Sequence, residues 1–344
     1  QQKLQNEEEQ CYCKEIHIEK LNLISQCFSL FKSFFISLPL QVAFFTTNKA
    51  KRNFFLFSEK VKQDVSYFQF VRTAEYAKQI KGKRVLDFQD CLSVNMERRA
   101  MKSKHIFKQL FHYEAKKLRD YENMMFDCFD ATSIITDIDR DLLSSNRKNE
   151  VNIIENGVGE SFLNYTQKKE KRFDIIFSGN MSYVPNVDAV RFLVNDIMPD
   201  VWKKIPNAKV VLAGSNPTSY VKGLASDKVE VTGWVDDMKE YYAQSKIFIA
   251  PMRIGTGLQN KLLEAMALSL PCITTPLANS ALKSVPDREI LVASEAKQLA
   301  EYIVKLLTDE ILYQTLAVNG HKFVEENYNW RRSTEKLVNI FQTC

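Results

Sequence analysis

The sequence predicts an α/β protein of two domains, each built on a parallel sheet. The chain has 344 residues, which exceeds the usual size of a single domain. Short apolar runs alternate with helical patterns along residues 65–154, and the same alternation returns along residues 173–293. Strands that alternate with helices form parallel sheets, because a crossover helix connects each strand to its parallel neighbour.

The clearest strand–helix–strand unit spans residues 246–275. An apolar strand, Ile247–Ala250, leads into a loop and then into a helical pattern. The loop places Gly255 and Gly257 on either side of Thr256. A helix N-terminus presents unpaired N–H groups and a partial positive charge, and glycines let a ligand approach the backbone closely. We therefore predict a phosphate site at this loop.

Three charged side chains accompany the loop. Lys261 and Glu264 lie three residues apart, on neighbouring positions of one helix face, and Arg253 lies just upstream. A carboxylate can accept hydrogen bonds from both hydroxyls of a ribose, while the cations offset the charge of a diphosphate. The pattern fits a nucleotide diphosphate, although an ordinary solvated helix pair would have the same spacing.

Five segments resemble the family 4 retaining glycosyltransferases, which have the GT-B fold. The donor-site motif of that family is matched around Leu263–Ala267 and Leu270–Thr274. Further matches to a bacterial branch that makes surface polysaccharides follow the same order along the chain, at Phe177–Met181, Pro185–Ala189 and Val231–Val235. Matches in this order are specific to the family.

The resemblance implies two Rossmann-like domains whose parallel sheets face a cleft, and a C-terminal helix that crosses back to the first domain. We place the acceptor-side domain at residues 1–165, the donor domain at 166–329 and the returning helix at 330–344. The implied reaction is transfer of a hexosyl group, with retention of configuration, from a nucleotide-diphosphate sugar to a glycan or lipid-linked acceptor in surface polysaccharide biosynthesis. The resemblance implies neither a metal nor a further cofactor.

The predicted donor site collects residues from several strand ends. Arg253, Lys261 and the N–H groups of residues 255–257 would stabilise charge on the leaving diphosphate, and Glu264 would hold the ribose. Trp234 follows a strand end, where the resemblance implies recognition of the nucleobase; packing between domains is an equal alternative. The remaining predicted members of the donor site are Gly179, Asn180, Gly214, Gly255, Thr256 and Gly257.

The sequence departs from the family pattern in two places. Many members have two glutamates eight residues apart, but Thr256 stands where the first would be, which leaves the contact to the donor sugar open. Many members also have an arginine and a lysine after the first strand of the donor domain, where Asn180 and Met181 stand here. Phosphate binding then depends more on Arg253 and Lys261.

Two acidic residues of the first half are candidates for contact with the acceptor. Asp87 and Asp90 follow the predicted strand Arg84–Phe88, at the edge where open α/β sheets bind ligands. Acids at strand ends also cap helices, so both interpretations stay open. Asp137 and Asp139 have the spacing of a metal-binding pair, but they directly precede a helix, where acids are favoured, and we predict no metal site.

Charge and cysteine content exclude several classes of protein. The formal net charge of +5 is too small to predict binding to nucleic acid. The seven cysteines lack zinc spacing, and their odd number argues against a disulfide framework, so we expect a cytoplasmic protein. The pattern over residues 98–121 is basic and helical; we predict a solvated face, with attraction of a lipid-diphosphate acceptor as the alternative.

The most apolar part of the chain is residues 21–45. Polar residues interrupt it, so the run of about 20 apolar residues that crosses a bilayer is missing. Phe28, Phe31, Phe34 and Phe35 nevertheless fall on one helical stripe. An aromatic stripe usually faces a core, which is the interpretation we favour. Peripheral contact with an anionic membrane is the alternative.

The start of the chain predicts a fragment. Gln1 is not an initiator methionine, and the opening strand and glycine-rich acceptor loop of the resembling enzymes have no match here. We expect an enzyme, but two alternatives follow. A chain that lacks this opening could bind a nucleotide-sugar without transferring it, or a GT-B protein of this type could be a nucleotide-sugar epimerase.

Overall fold

The computed structural model describes most of the chain, in two compact units. The predicted site residue Thr256 lies outside the described residues. The first unit comprises residues up to 134, 140–152 and 341–344, and the second comprises residues 135–139 and 153–340. The described residues are 13–61, 63–103, 105–166, 169–255 and 257–344, without the side chains of Lys102 and His105.

The first sheet has four strands in the order β1-β2-β3-β4, and β1, β2 and β3 pair in parallel. Its core includes Phe68, Leu86 and Ile134, which are buried. The strands are β1 (Val65–Gln69), β2 (Lys83–Asp87), β3 (Ala131–Ile134) and β4 (Asn152–Ile153). The helices before β4 are α1 (Leu23–Ser33), α2 (Leu40–Phe45), α3 (Asn48–Lys60), α4 (Ala74–Ala77), α5 (Leu92–Lys102), α6 (His105–Cys128) and α7 (Asp137–Leu142).

The basic pattern over residues 98–121, which we predicted to be helical, belongs to two helices. The backbone is extended at Ser103, with φ −94° and ψ 154°, and this ends α5 before α6 begins. A buried carboxylate holds the pair together: Glu122 of α6 accepts hydrogen bonds from the N–H and the hydroxyl of Ser93 at the start of α5, at 3.0 and 2.5 Å. Burial raises the pKa of Glu122 to about 7.

The aromatic stripe of α1 does not face the core, so the favoured prediction was wrong. Phe28 and Phe35 are 66% and 75% exposed, and Phe31 and Phe34 are also mostly exposed. The buried residues of this helix are polar, Gln26 and Ser33. The face of α1 that packs on the protein is therefore its polar face.

Polar groups of α6 explain this orientation, because they satisfy the free ends of α1 and α2. The Lys117 ammonium donates to the carbonyls of Ser33 and Ile36, at 2.8 and 3.0 Å, just where α1 ends. The Glu114 carboxylate accepts from the N–H groups of Leu40 and Gln41, both at 2.8 Å, where α2 begins. Helix ends leave such groups without intrahelical partners, so burying them requires these bonds.

The second sheet has six parallel strands in the order β10-β9-β8-β5-β6-β7. Its strands are β5 (Phe173–Ser178), β6 (Val210–Ala213), β7 (Val229–Gly233), β8 (Ser245–Ala250), β9 (Cys272–Thr274) and β10 (Leu291–Val292). Its helices are α8 (Glu160–Leu163), α9 (Val184–Phe192), α10 (Met198–Lys204), α11 (Ser219–Lys222), α12 (Met238–Ala243), α13 (Asn260–Ala267), α14 (Pro276–Leu282), α15 (Ala296–Thr308), α16 (Glu310–Asn327) and α17 (Trp330–Thr343).

The predicted α/β class with parallel sheets is confirmed. The second sheet is buried on both faces: the side chains of β6 are all buried, as are most of those of β5 and β8. Asp237 caps α12, because its side chain accepts the N–H of Lys239 at the start of the helix. The last helix ends in residues that group with the first unit. The predicted domain boundaries stay a prediction.

Candidate functional site

The order of the second sheet reverses between β5 and β8. From β5 the chain proceeds outward through β6 to β7, while β8 lies on the other side of β5 and leads to β9 and β10. In open α/β sheets, ligands bind outside the carboxyl ends of the strands at such a reversal, because the loops diverge there and leave a crevice. Gly179 and Asn180 directly follow β5, and Arg253, Gly255 and Gly257 lie in the loop after β8. The sheet therefore brings these predicted site residues to one edge.

Two glycines let the loops after β5 and β6 touch backbone to backbone. Gly179 and Gly214 have φ angles of +145° and +147°. A Cβ on Gly214 would lie 1.8 Å from the carbonyl oxygen of Gly179. The N–H of Gly179 donates to the carbonyl of Ala213 at 3.0 Å, and the N–H of Gly214 donates to that of Gly233 at 3.2 Å. The predicted site residues Gly179 and Gly214 thus form the floor of this edge.

Lys261 lies in the first turn of α13, and its ammonium turns toward the loop after β5. The Nζ atom donates to Oδ1 of Asn186 at 2.6 Å and lies 4.4 Å from the centre of the Phe177 ring. Burial lowers the pKa of Lys261 to about 7, and the negative charge of Glu264 opposes this shift. The site therefore holds a lysine that can gain or lose its charge near neutral pH.

Asn186 was not among the predicted site residues, although it belongs to the matched segment Pro185–Ala189. Its side chain is buried and makes two bonds at once: Oδ1 accepts from Lys261, and Nδ2 donates to the carbonyl of Asn180 at 2.9 Å. A Cβ on Gly179 would lie 2.7 Å from Nδ2. Asn186 therefore connects Lys261 to the loop after β5, and a side chain at position 179 would displace its amide.

Glu264 lies one turn beyond Lys261, and the side chain of Tyr242 holds its carboxylate. The Tyr242 hydroxyl donates to Oε2 of Glu264 at 2.9 Å and is 2.7 Å from the hydroxyl of Ser178, at the end of β5. Burial raises the pKa of Glu264, while the bond from Tyr242 and the charge of Lys261 lower it. Lys261 and Glu264 are thus not an exposed surface pair, because each is partly buried and held by a different partner.

Arg253 lies in the loop after β8 and already has an anionic partner. Its guanidinium donates to both carboxylate oxygens of Asp188, at 2.8 and 3.1 Å, and lies 4.1 Å from the centre of the Phe192 ring. Asp188 also lies 3.8 Å from a guanidinium nitrogen of Arg191. The sequence offered a signal for this pair, since Asp188 is in the matched segment that contains Asn186. Binding of a phosphate by Arg253 stays a prediction.

Two glycines of the loop before α13 have backbone angles that other residues rarely adopt. Gly255 and Gly257 have φ angles of +116° and +76°, which favour glycine. Gln259 precedes α13 without a side-chain hydrogen bond to the first turn. The N-terminal N–H groups of α13 and the ammonium of Lys261 are thus at the same end of the helix.

Two further predicted residues follow strands of the second sheet and have local partners. Asn180 is exposed, and its Oδ1 accepts from the N–H and hydroxyl of Ser182, at 3.0 and 2.8 Å. Trp234 directly follows β7, is 63% exposed and donates its ring N–H to Asp236 at 3.3 Å. An exposed indole at a strand end is available for stacking on a base, and its role stays a prediction.

Asp87 and Asp90 belong to the first unit. Asp87 is buried and accepts from the Tyr67 hydroxyl at 2.6 Å, from the N–H of Gln89 at 3.0 Å and from the Gln89 amide. Asp90 accepts from the side chain of Asn95 at 2.9 Å. Both acids thus make local bonds at the end of β2, and contact with an acceptor stays a prediction.

The described residues contain no group of three or more His, Cys, Asp or Glu side chains that could hold a metal ion. Asp137 pairs with Lys283 at 2.5 Å, and Asp139 accepts from the hydroxyl of Thr136 at the same distance. Across the described part of the chain, every helix is too short or too polar to span a membrane.

Comparison with known proteins relates the second unit to a family. Residues 172–309 match the family model described as glycosyl transferases group 1. The matched segment lies within the second unit. It includes β5 to β10 and every predicted donor-site residue, but it excludes the first unit.

The curated relatives are distant, and the matches cover only part of each of them. The capsular polysaccharide biosynthesis glycosyltransferase CapM of Staphylococcus aureus is 26% identical over 241 residues, which cover 64% of this chain and 63% of CapM. Spore coat protein SA of Bacillus subtilis is 25% identical over 185 residues, which cover 49% of this chain and 48% of that protein. The chain thus spans less than two thirds of the length of these relatives.

Solved glycosyltransferase structures share the fold. HepE of Anabaena, solved in complex with UDP-glucose, has a TM-score of 0.68 at 12% identity and covers 86% of this chain and 82% of its own. TarM has a TM-score of 0.66 at 13% identity and covers 87% of this chain and 59% of its own. Sucrose-phosphate synthase of Thermosynechococcus elongatus has a TM-score of 0.66 at 16% identity and covers 86% and 77%. The predicted GT-B class is confirmed at the level of fold.

Proposed function

We propose that this chain is a cytoplasmic retaining glycosyltransferase of family 4. It moves a hexosyl group from a nucleotide-diphosphate sugar to a glycan or lipid-linked acceptor in surface polysaccharide biosynthesis. The observation that carries the proposal is the position of Lys261 and Glu264, which lie three residues apart on α13 beside the reversal of the sheet order. The likeness to CapM supports the polysaccharide context, and the UDP-glucose complex of HepE supports the class of donor.

Negative charge develops on the leaving group during the reaction, and the enzyme must stabilise it. The bond between the anomeric carbon and the diphosphate oxygen breaks, and its electron pair stays on the diphosphate. The acceptor oxygen bonds to the anomeric carbon on the same face, and its proton passes to the departing diphosphate oxygen. Hydrogen-bond donors that are already oriented stabilise the developing charge more than mobile water does. Lys261, the N–H groups at the start of α13 and Arg253 would supply this stabilisation, without a metal.

Glu264 would hold the nucleoside by accepting hydrogen bonds from the ribose hydroxyls. Its carboxylate is one helical turn from Lys261, so a diphosphate on the lysine would bring the attached ribose toward the glutamate. Trp234 and the backbone after β7 would contact the base. Gly179, Asn180 and Gly214 would shape the side of the pocket after β5 and β6. In the first unit, Asp87 and Asp90 would contact the acceptor.

A turnover experiment separates this proposal from its two alternatives. Purified protein is incubated with nucleotide-sugars, with and without glycan and lipid-linked acceptors, and proton NMR follows the anomeric signals. We expect an acceptor-dependent product that keeps the anomeric configuration of the donor. If a donor binds but no product forms, the chain is a nucleotide-sugar-binding protein. Conversion of the donor without an acceptor would indicate an epimerase, and an inverted product would contradict retention.

We also propose peripheral contact between the first unit and an anionic membrane. The observation that favours it is the exposed aromatic stripe of α1, Phe28, Phe31, Phe34 and Phe35. Ile106 and Phe107 at the start of α6 are exposed as well. Lys32 and Lys108 are exposed beside these residues in the sequence, so the apolar groups are accompanied by cations. Aromatic side chains that insert below the headgroups, with cations at the headgroup level, are typical of interfacial helices.

Liposome flotation tests the membrane contact. We expect the protein to float with vesicles that contain anionic lipid and to stay in solution with zwitterionic vesicles. Replacing Phe28, Phe31 and Phe35 together by serine should abolish flotation, because about 2 kcal/mol of transfer free energy is lost for each buried ring. The matched control replaces the exposed Ile311 and Val318 of α16 by serine and should float normally. Equal flotation of all proteins, or none with either lipid, would exclude the contact.

A further inference from the structure

We propose that Tyr242 positions Glu264 for ribose binding, with Ser178 orienting Tyr242 in turn. This inference rests on the proposed donor site and adds two residues to it. Neither is among the charged or glycine residues that the sequence patterns indicated, and each comes from a different element: Tyr242 from α12 and Ser178 from the end of β5.

The geometry forms a chain of three side chains that begins inside the sheet. Ser178 and Tyr242 are 2% and 0% exposed. The hydroxyl of Tyr242 lies 2.7 Å from Oγ of Ser178 and 2.9 Å from Oε2 of Glu264. The Tyr242 ring packs edge to face on Phe248 of β8, with the ring centres 5.8 Å apart. The position of its hydroxyl is therefore fixed by core packing.

The charge of Glu264 decides the direction of these bonds. An ionised carboxylate only accepts, so the single proton of the phenol points to Oε2. The phenol oxygen then accepts from Ser178, whose hydroxyl proton can rotate toward it. Protons thus point along one direction, from Ser178 through Tyr242 to Glu264. A hydrogen bond to a charged acceptor is about twice as strong as a neutral one, so this bond orients the carboxylate firmly.

The consequence for binding concerns the second carboxylate oxygen. Within the described residues, no side chain or N–H donates to Oε1 of Glu264. A glutamate on a helix surface samples several rotamers, and ordering such a side chain on binding costs roughly 0.5–1.5 kcal/mol. The bond from Tyr242 already orders the Glu264 side chain in the free protein, so binding does not include this cost. Oε1 can then accept from a ribose hydroxyl. Burial raises the pKa of Glu264, and the bond from Tyr242 opposes this rise.

The test replaces Tyr242 by phenylalanine, which keeps the ring and its packing. Calorimetry measures the affinity for UDP, ADP and GDP and for the 2′-deoxy form of each. We expect wild type to prefer the ribonucleotide, and Tyr242→Phe to bind it about 10-fold more weakly, since a hydrogen bond to a charged group is lost. The preference over the 2′-deoxy form should shrink. In a Glu264→Gln background, Tyr242→Phe should have little further effect, because the residues act as one unit.

Two further variants keep the test decisive. Tyr241→Phe is the matched control, since Tyr241 is the adjacent residue and its ring stacks on Phe173; it should bind as wild type does. Ser178→Ala should weaken ribonucleotide binding in the same sense, and it replaces Tyr242→Phe if that variant does not fold. If wild type binds and both variants keep its affinity and its ribose preference, the positioning role is wrong and the donor site stands. If wild type binds no nucleotide, the positioning role and the proposed donor site are both wrong.

Discussion

Replacing Gly214 by alanine is expected to prevent stable folding of the second unit. The new Cβ would lie 1.8 Å from the carbonyl oxygen of Gly179. This oxygen belongs to the backbone, so it cannot rotate away as the end of a side chain could. The φ angle of +147° adds backbone strain of about 1–3 kcal/mol for any residue with a side chain. We expect a loss of more than about 4 kcal/mol in the free energy of unfolding, measured by urea denaturation followed by circular dichroism.

Gly233→Ala is the control for this substitution. Its φ angle is +74°, but no atom lies within 4 Å of the position of a new Cβ. This variant therefore measures the conformational cost alone, about 1–2 kcal/mol. Equal losses in the two variants would show that the contact between the loops after β5 and β6 is not tight, and our description of the floor of the site would be wrong.

Replacing Lys261 by methionine is expected to abolish donor binding without unfolding the protein. Removing a partly buried cation that would face a diphosphate should weaken nucleotide-sugar binding at least 100-fold, since a charge-assisted bond and its Coulomb attraction are both lost. Methionine has a similar length and no desolvation penalty, so we expect the free energy of unfolding to fall by no more than about 1 kcal/mol. Binding by calorimetry and thermal unfolding give the two readouts.

The pH dependence follows from the lowered pKa of Lys261. Below about pH 7 Lys261 is charged in the free site. Above about pH 7 a proton must bind to Lys261 together with the nucleotide-sugar. Affinity should therefore fall about 10-fold per pH unit above 7, until the proton-linked step is complete. Stability has the opposite trend: the folded pKa lies below the ordinary 10.5, so the unfolded state binds more protons between these values and stability rises with pH there.

Lys203→Met is the matched control for charge, since it removes one lysine from an exposed position on α10. It should leave donor affinity and its pH dependence unchanged. If Lys261→Met keeps its affinity, or loses affinity and stability together, the phosphate role is wrong. A wild-type affinity that does not change between pH 6 and 9 would contradict the titration of Lys261 in the site.

The sequence was sufficient for the local parts of the site. Strand β8, the glycine loop and α13 lie within residues 245–275, so their order and periodicity define them without any distant contact. Lys261 and Glu264 were predicted because helical spacing places them on one face. What spacing could not give is their partners, since Asn186 is 75 residues from Lys261 and Tyr242 is 22 residues from Glu264.

The aromatic stripe of α1 shows a different limit of sequence patterns. Periodicity identifies which residues share a face, but it does not say whether that face meets a core or solvent. Here the bonds between Glu114 and Lys117 of α6 and the ends of α1 and α2 decide which face of α1 packs on the protein. These partners are more than 70 residues apart in the sequence. The core-facing prediction was wrong because it weighed the apolar residues and not the helix ends.

The central claim is that the start of α13 binds a nucleotide-diphosphate sugar, and calorimetric titration tests it most directly. A panel of nucleotide-sugars is titrated into the wild-type chain and into Glu264→Ala and Lys261→Met. We predict micromolar binding of one donor by wild type, lost in both variants while their thermal unfolding stays cooperative. Binding of no donor by the folded wild-type chain, or binding that survives in both variants, would contradict the account.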